Sequence, residues 1–270
     1  MKKLLNVLGT AGLLGTALML GGCGDASDQS PATTGQVAIG AVSGATVKVS
    51  NASSTTESAK LSALSSITDS SGTFTIPVAS ATALSTGNRI GIAFSSTGGT
   101  FTNMSGATGK AAPDLATVAG YRNITPFTTL YNAASTAAKA SLDTLVSNQD
   151  IDTVVLGTIP ENLLLMAKLN NTIGEALYMF KIFGVTATSS TTSVKTTATW
   201  LASTATALGA LTPDQALDTA TLVSTLTISA NLPTIPAGTG ASQSVAARTT
   251  LLGQRLEMIA RKTVTGAVIK

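Results

Sequence analysis

Any chemistry this chain performs is done without histidine. Its 270 residues hold no His and a single Cys, which excludes the Ser-His-Asp triad, the Cys-His pair, His-ligated zinc and any intrachain disulfide. Carboxylates, amines and hydroxyls remain, and each arrangement of them has a plainer reading beside the chemical one. Asp150, Asp152 and Glu161 stand at positions 1, 3 and 12 of a calcium loop, but Val154 and Val155 occupy the places that need an oxygen ligand and a sharply turning glycine. A solvated loop between helices is the better reading. A Ser-x-x-Lys pair would let an amine activate a hydroxyl one helical turn away. No serine stands three residues before a lysine; Thr136 before Lys139 and Thr192 before Lys195 come nearest. Asp214 and Asp218 share a helix face and would suit a glycosidase, whose two carboxylates stand roughly 5 to 10 Å apart. An acid at Asp214 is equally expected in a first helical turn, where it meets the helix dipole. Gly98-Gly99 lacks the lysine and the following helix of a phosphate loop and reads as a turn. No catalytic residue, cofactor or metal is expected.

Arg248, Arg255 and Lys262 recur every seven residues, so they fall on nearly one face of a helix, with Arg261 close by. As a contact face this basic stripe would meet anionic headgroups, acidic polysaccharide or a protein partner. As plain structure it is the solvated back of an amphipathic helix, and that reading is preferred. The lone Trp200 lies in a helical segment and suits a core better than a sugar-stacking platform.

The thiol carries the most specific signal. Met1 to Cys23 runs from two lysines through a charge-free stretch to small residues directly before the cysteine, the order of a secretory signal peptide. Leu20-Gly21-Gly22-Cys23 resembles a bacterial lipobox, which implies lipid on the Cys23 thiol and cleavage before it. An uncleaved membrane-spanning helix is the alternative, weakened by Gly9, Gly12, Gly15, Gly21 and Gly22. Two or three acyl chains anchor a protein stably where one does not. Removing residues 1–22 takes away Lys2 and Lys3, so sixteen basic residues become fourteen against thirteen acids. The basic excess is then nearly gone, and nucleic acid is not an expected partner. Gly24 rather than Asp after the cysteine resembles lipoproteins of Gram-negative bacteria exported to the outer membrane.

The elements that would carry this surface divide in two. Residues 23–35 are short-chained and polar and read as a flexible tether. Over 36–122 the texture is β. Val37–Val42 and Ala45–Val49 read as short strands, the latter alternating apolar and polar positions. Thr68–Ile76 reads as strand, turn, strand, with Asp69 and Gly72 supplying the turn chemistry. Arg89–Phe94 and Thr100–Asn103 read as two further strands joined through Gly98-Gly99. Ser43-Gly44-Ala45-Thr46-Val47-Lys48-Val49 followed by Thr68-Asp69-Ser70-Ser71-Gly72-Thr73-Phe74-Thr75-Ile76 is similar to the carboxypeptidase-regulatory-like, transthyretin-like sandwich of bacterial surface proteins. That resemblance covers about Gln36 to Phe101, lacks the family's closing Leu-Pro-x-Gly-x-Tyr element, and implies an accessory module without catalytic residues.

Over 123–270 the period switches to helical. Thr125-Pro126 caps a helix whose stripe runs from Phe127 through Leu130, Tyr131, Ala134, Ala138 and Leu142 to Val146. Ile124 to Leu130 resembles a junction seen in surface lipoproteins of Gram-negative bacteria. Further helices are expected over Glu161–Phe183 with Gly184 as the stop, Ser193–Leu208, Pro213–Leu226 behind a capping box at Thr212, and Ala241–Val264. The fold class expected is therefore α+β, an N-terminal β-sandwich of the Ig-like or transthyretin-like kind followed by a helical bundle. The function expected is that of a lipid-anchored cell-envelope protein acting as an interaction or structural module without enzymatic activity. Its partners would be the membrane through the lipid and a glycan or envelope protein; the alternative is an envelope glycan hydrolase using a carboxylate pair.

Overall fold

Short β-branched runs separated by glycine turns give antiparallel sheets first, and long Leu- and Ala-rich stretches then give helices. The computed structural model describes residues 32–51, 64–77, 92–102, 106–147, 149–186, 194–239 and 243–270. The lipobox Leu20-Gly21-Gly22 and Cys23 lie outside them.

Strand β1 (Ala32–Gln36) pairs antiparallel with β4 (Thr73–Pro77). The segment expected as a tether thus already carries ladder bonds at its end. A second sheet is built on β2 (Ser43–Asn51), flanked by β3 (Ser65–Ile67) and β5 (Ile92–Phe101). Two short strands, β6 (Lys110–Ala111) and β7 (Leu115–Ala116), pair with β5. On β2 the buried residues Ala45, Val47 and Val49 alternate with Thr46 and Lys48, the period of a half-buried strand. Phe74 of the first sheet packs against Phe94 of the second, ring centroids 5.4 Å apart and planes tilted by 54°.

Two β expectations are corrected. Val37–Val42 is a tight crossing instead of a strand: Gly40 has φ 93°, Val42 N–H donates back to Val37 O, and Ala41 N–H donates to Lys270 O at the far end of the chain. Gly98 and Gly99 sit inside one strand, because the nine-residue β2 offers β5 an unbroken register from Asn51↔Ile92 to Ser43↔Thr100. A Cβ on Gly99 would lie 2.8 Å from Ala45 N, so the close approach there needs glycine. The Asp69 turn forms as expected, with Asp69 Oδ1 accepting from Ser71 N and Thr73 N and Gly72 at φ 79°. It joins strands of two different sheets, so it is a corner and not a hairpin.

The helical region has seven helices among the described residues. Helix α1 (Pro126–Ala133) starts behind Thr125, whose hydroxyl accepts from Thr128 N while Thr128 reciprocates. The stripe expected to run on to Val146 is cut at Ala134, which is extended, and Ser135 caps α2 (Thr136–Leu145). After a 3-10 turn at Glu161–Leu163 comes α3 (Leu164–Phe183), stopped by Gly184 at φ 72°. Then follow α4 (Thr197–Gly209), α5 (Pro213–Leu217) and α6 (Thr219–Leu226). Extended Asp218 splits the expected Pro213–Leu226 helix, because its carboxylate caps α6 through Thr221 N. Helix α7 (Val245–Lys262) leads to β9 (Val268–Ile269), which pairs with β8 (Gly157–Thr158). No described helix is long and apolar enough to cross a membrane.

One continuous apolar core runs from Val37 and Phe74 through Phe127 and Leu130 to Trp200, Leu252 and Leu256. Ile124 forms a parallel bridge with Val37, and the Thr128 and Thr129 hydroxyls donate to Ala116 O. Gly174 of α3 lies against Ile39, and Lys181 Nζ donates to Ala112 O at 2.5 Å. The junction therefore locks sheets and helices together.

Candidate functional site

Of the acids singled out above, Asp150, Asp152 and Asp218 have structural duties, while Glu161 and Asp214 are exposed. Asp152 accepts from the backbone N–H groups of Arg122 and Asn123 at 2.7 to 3.1 Å and pins the sheet-to-helix junction. Burial raises its pKa, opposed by those bonds. Asp150 accepts from Asp152 N, and Val155, in the position a calcium loop gives to glycine, is buried in the core. Among the described residues no group of three or more His, Cys, Asp or Glu could hold a metal ion. Asp218 spends its carboxylate on the α6 cap, a bond to Thr221 N that lowers its pKa. Asp214 is exposed in the first turn of α5. The two acids considered for glycosidase chemistry thus sit at consecutive helix starts.

The hydroxyl–lysine pairs are equally occupied. Lys139 lies over the Tyr131 ring at 5.4 Å, and Lys195 Nζ donates to Ala230 O. Thr192 lies outside the described residues. A third amine was not singled out by any motif: Lys168, buried on α3, donates to Leu217 O at 2.6 Å and Thr219 Oγ1 at 3.1 Å. Burial lowers its pKa. Its ammonium closes the end of α5, since Leu217 O is a carbonyl that the short helix leaves free.

The basic residues of α7 divide. Arg261 pairs with Glu257 one turn away, 2.7 Å apart and exposed, and Lys262 is exposed beside it. Arg248 and Arg255 instead turn toward α3, so the solvated back expected for the stripe holds only at its C-terminal end. Arg255 Nε and Nη2 meet Glu175 Oε1 at 2.8 and 2.6 Å. Glu175 is 3% exposed, and its pKa is raised by burial against the opposing pull of Arg255. Arg248 donates to Phe183 O, Pro236 O and Gln243 Oε1 and lies 5.3 Å from the Phe183 ring centroid. All of these acceptors are neutral, so among the described residues its charge is held in place without an anion. Gly238 passes so close to the guanidinium that a Cβ there would collide with it.

These two arginines form one wall of a half-open groove of about 420 Å³. The last part of α3 also lines it, where Tyr178, Ile182 and Phe183 present apolar surface. Leu251 of α7 and Lys110 of β6 belong to the same lining. Phe101 of β5 packs edge-on against Tyr178 at 5.6 Å, which fixes the sheet against this wall. Two large apolar side chains of the groove remain open to water, Ile182 at 54% and Leu251 at 43% exposure. The volume falls in the range of small-molecule sites, and an apolar lining with a few placed charges is their usual make-up.

Sequence reasoning found Arg248 and Arg255 but not their setting. Glu175 is the missed partner: a lone acid inside the otherwise apolar run Ile173 to Phe180 is a signal that a cation must come from elsewhere. Lys110 and Tyr178 carry no local signal. Trp200 is a core residue as expected, fully buried, edge-on to Phe180 at 4.9 Å and donating to Leu226 O. Comparison with protein-family models, with curated proteins and with solved structures finds no match to this chain.

Proposed function

We propose that this chain is a lipid-anchored protein of the bacterial cell envelope, held at the outer membrane through Cys23, that works by binding and not by catalysis. The observation that supports binding over hydrolysis is the use of the acids. Asp69, Asp152, Asp218 and Glu175 each have a turn, a junction, a cap or a buried arginine to serve. A glycosidase needs two carboxylates facing each other across a substrate. On this reading residues 36–122 form a transthyretin-like sandwich, supported by the two sheets that meet at the Asp69 corner and through Phe74 and Phe94. Residues 123–270 form the helical bundle that supplies most of the groove, with Lys110 added from the sheet region. A glycan or an envelope protein remains the wider class of partner, with no nucleic acid.

Mass spectrometry of the membrane fraction tests the anchor. The mature chain is expected to begin at Cys23 with added acyl mass, and Cys23→Ala is expected to leave an unacylated chain. An unmodified full-length wild type would defeat the proposal. Turnover of peptidoglycan or envelope polysaccharide, lost in Asp214→Asn or Asp218→Asn, would replace binding by hydrolysis.

A further inference from the structure

Resting on the binding reading, we infer that the groove between α3, α7 and β6 takes a single-chain amphiphile with a carboxylate head, a ligand of the fatty-acid class. Its apolar half is specified by Ile182 and Leu251. They face the same groove from different helices, and an alkyl chain laid between them would remove both from water. A glycan would leave these side chains without a matching surface.

The anionic half follows from the charge count. Among the described residues Lys110, Arg248 and Arg255 line the groove and no acid does; the buried Glu175 carboxylate balances Arg255 alone. Arg248 has only neutral acceptors among the described residues. Two positive charges therefore face an apolar trough. The head is assigned as a carboxylate by the geometry of Arg255. Glu175 Oε1 takes the Nε and Nη2 edge of that guanidinium, so the edge left for the two parallel bonds of a planar, two-oxygen acceptor is its Nη1–Nη2 end. Glu175 and the Arg248 acceptors hold both guanidinium groups in place before any ligand arrives, so little ordering is needed on binding.

Calorimetric titration of the full chain with sub-micellar decanoate tests this. Decanoate is expected to bind one to one with a negative heat-capacity change, the mark of apolar burial. Decyltrimethylammonium is expected to bind at least about tenfold more weakly, and acetate not measurably. Leu251→Glu, at an exposed position, should cut decanoate affinity about tenfold or more, and Lys110→Gln by a smaller factor, with thermal unfolding of the free protein unchanged. Absence of decanoate binding, equal binding of the cationic amphiphile, tighter binding of decyl phosphate, or affinity indifferent to both substitutions would each overturn the assignment. None of these outcomes bears on acylation at Cys23 or on turnover, so failure here is separate from failure of the proposed function.

Discussion

Helices α3 and α7 pack against each other but solve opposite problems. Helix α7 is amphipathic: Leu252, Leu256 and Ile259 are buried, while Glu257, Arg261 and Lys262 stay in water. Helix α3 is buried on all sides from Leu165 to Phe180, and its polar residues go inside with it. Thr172 Oγ1 donates to Lys168 O of its own helix, and four others find partners on neighbouring elements. Lys168 reaches the end of α5, Asn170 Oδ1 accepts from Phe127 N of α1, Asn171 reaches Thr263 beyond α7, and Glu175 takes Arg255. The same residue types that decorate one helix therefore orient the other. A buried polar group without its partner is costly, so these contacts fix which neighbour α3 meets on each side.

The largest break in this contrast should come from Arg255→Leu. Glu175 would then be a buried carboxylate without a cation, and unfolding in urea should show a loss of about 3 to 5 kcal/mol at neutral pH. The sign of the pH dependence follows from burial, which raises the folded-state pKa of Glu175 above its ordinary 4.5. Such a group contributes most below 4.5 and loses that contribution as pH climbs through the raised value. Removing Arg255 raises it further, so the gap between variant and wild type should widen from pH 4.5 to neutrality. A gap independent of pH would mean that Glu175 is not the group left stranded.

Two mid-helix glycines sharpen the comparison. A Cβ on Gly174 of α3 would stand 2.6 Å from Ile39 Cγ1 and 3.0 Å from Pro126 Cγ, at the place where the sheet crossing meets the helices. Gly174→Ala should therefore destabilise by about 1 to 3 kcal/mol through overpacking. On α7 a Cβ at Gly253 would meet nothing within 4 Å. Gly253→Ala should stabilise by about 0.5 to 1 kcal/mol, because the helix loses an entropic weak point at no steric cost. Opposite shifts of the thermal midpoint would separate the two helices; shifts of the same sign would erase the distinction. The smallest effect belongs to the exposed pair. Glu257→Gln should cost less than about 0.5 kcal/mol, since Arg261 and Glu257 are 69% and 49% exposed and water competes for both.

Of the basic stripe, the sequence placed all four residues on one helix correctly. Arg261 and Lys262 behave as solvated groups, because their surroundings are set by their own helix. Arg248 and Arg255 do not, because α3 lies against their two turns of α7 and brings the Phe183 carbonyl to one and an acid to the other. The groove shares that difficulty: Lys110 and Arg248 are far apart in the chain and meet only when the sheet closes on the helical region. Among the elements, the misreadings cluster where one residue interrupts a longer period. Ala134 and Asp218 leave helical geometry, and Gly98-Gly99 stays in a strand because β2 is long enough to hold it.

What the sequence determined by itself is local. The Thr125 and Thr212 caps, the Gly184 stop and the Asp69–Gly72 turn follow from groups within a few residues of each other, so their geometry needs nothing from the rest of the chain. The absence of histidine limits the available chemistry in the same unconditional way. The tertiary structure alone decided the partners of α3, which lie 43, 49, 92 and 80 residues away for Asn170, Lys168, Asn171 and Glu175. Helical periodicity reports which side of a helix is apolar, and a helix covered on every side has no such asymmetry to report. Its orientation, and with it the groove it walls, is set by polar groups finding their complements only once the neighbours have packed.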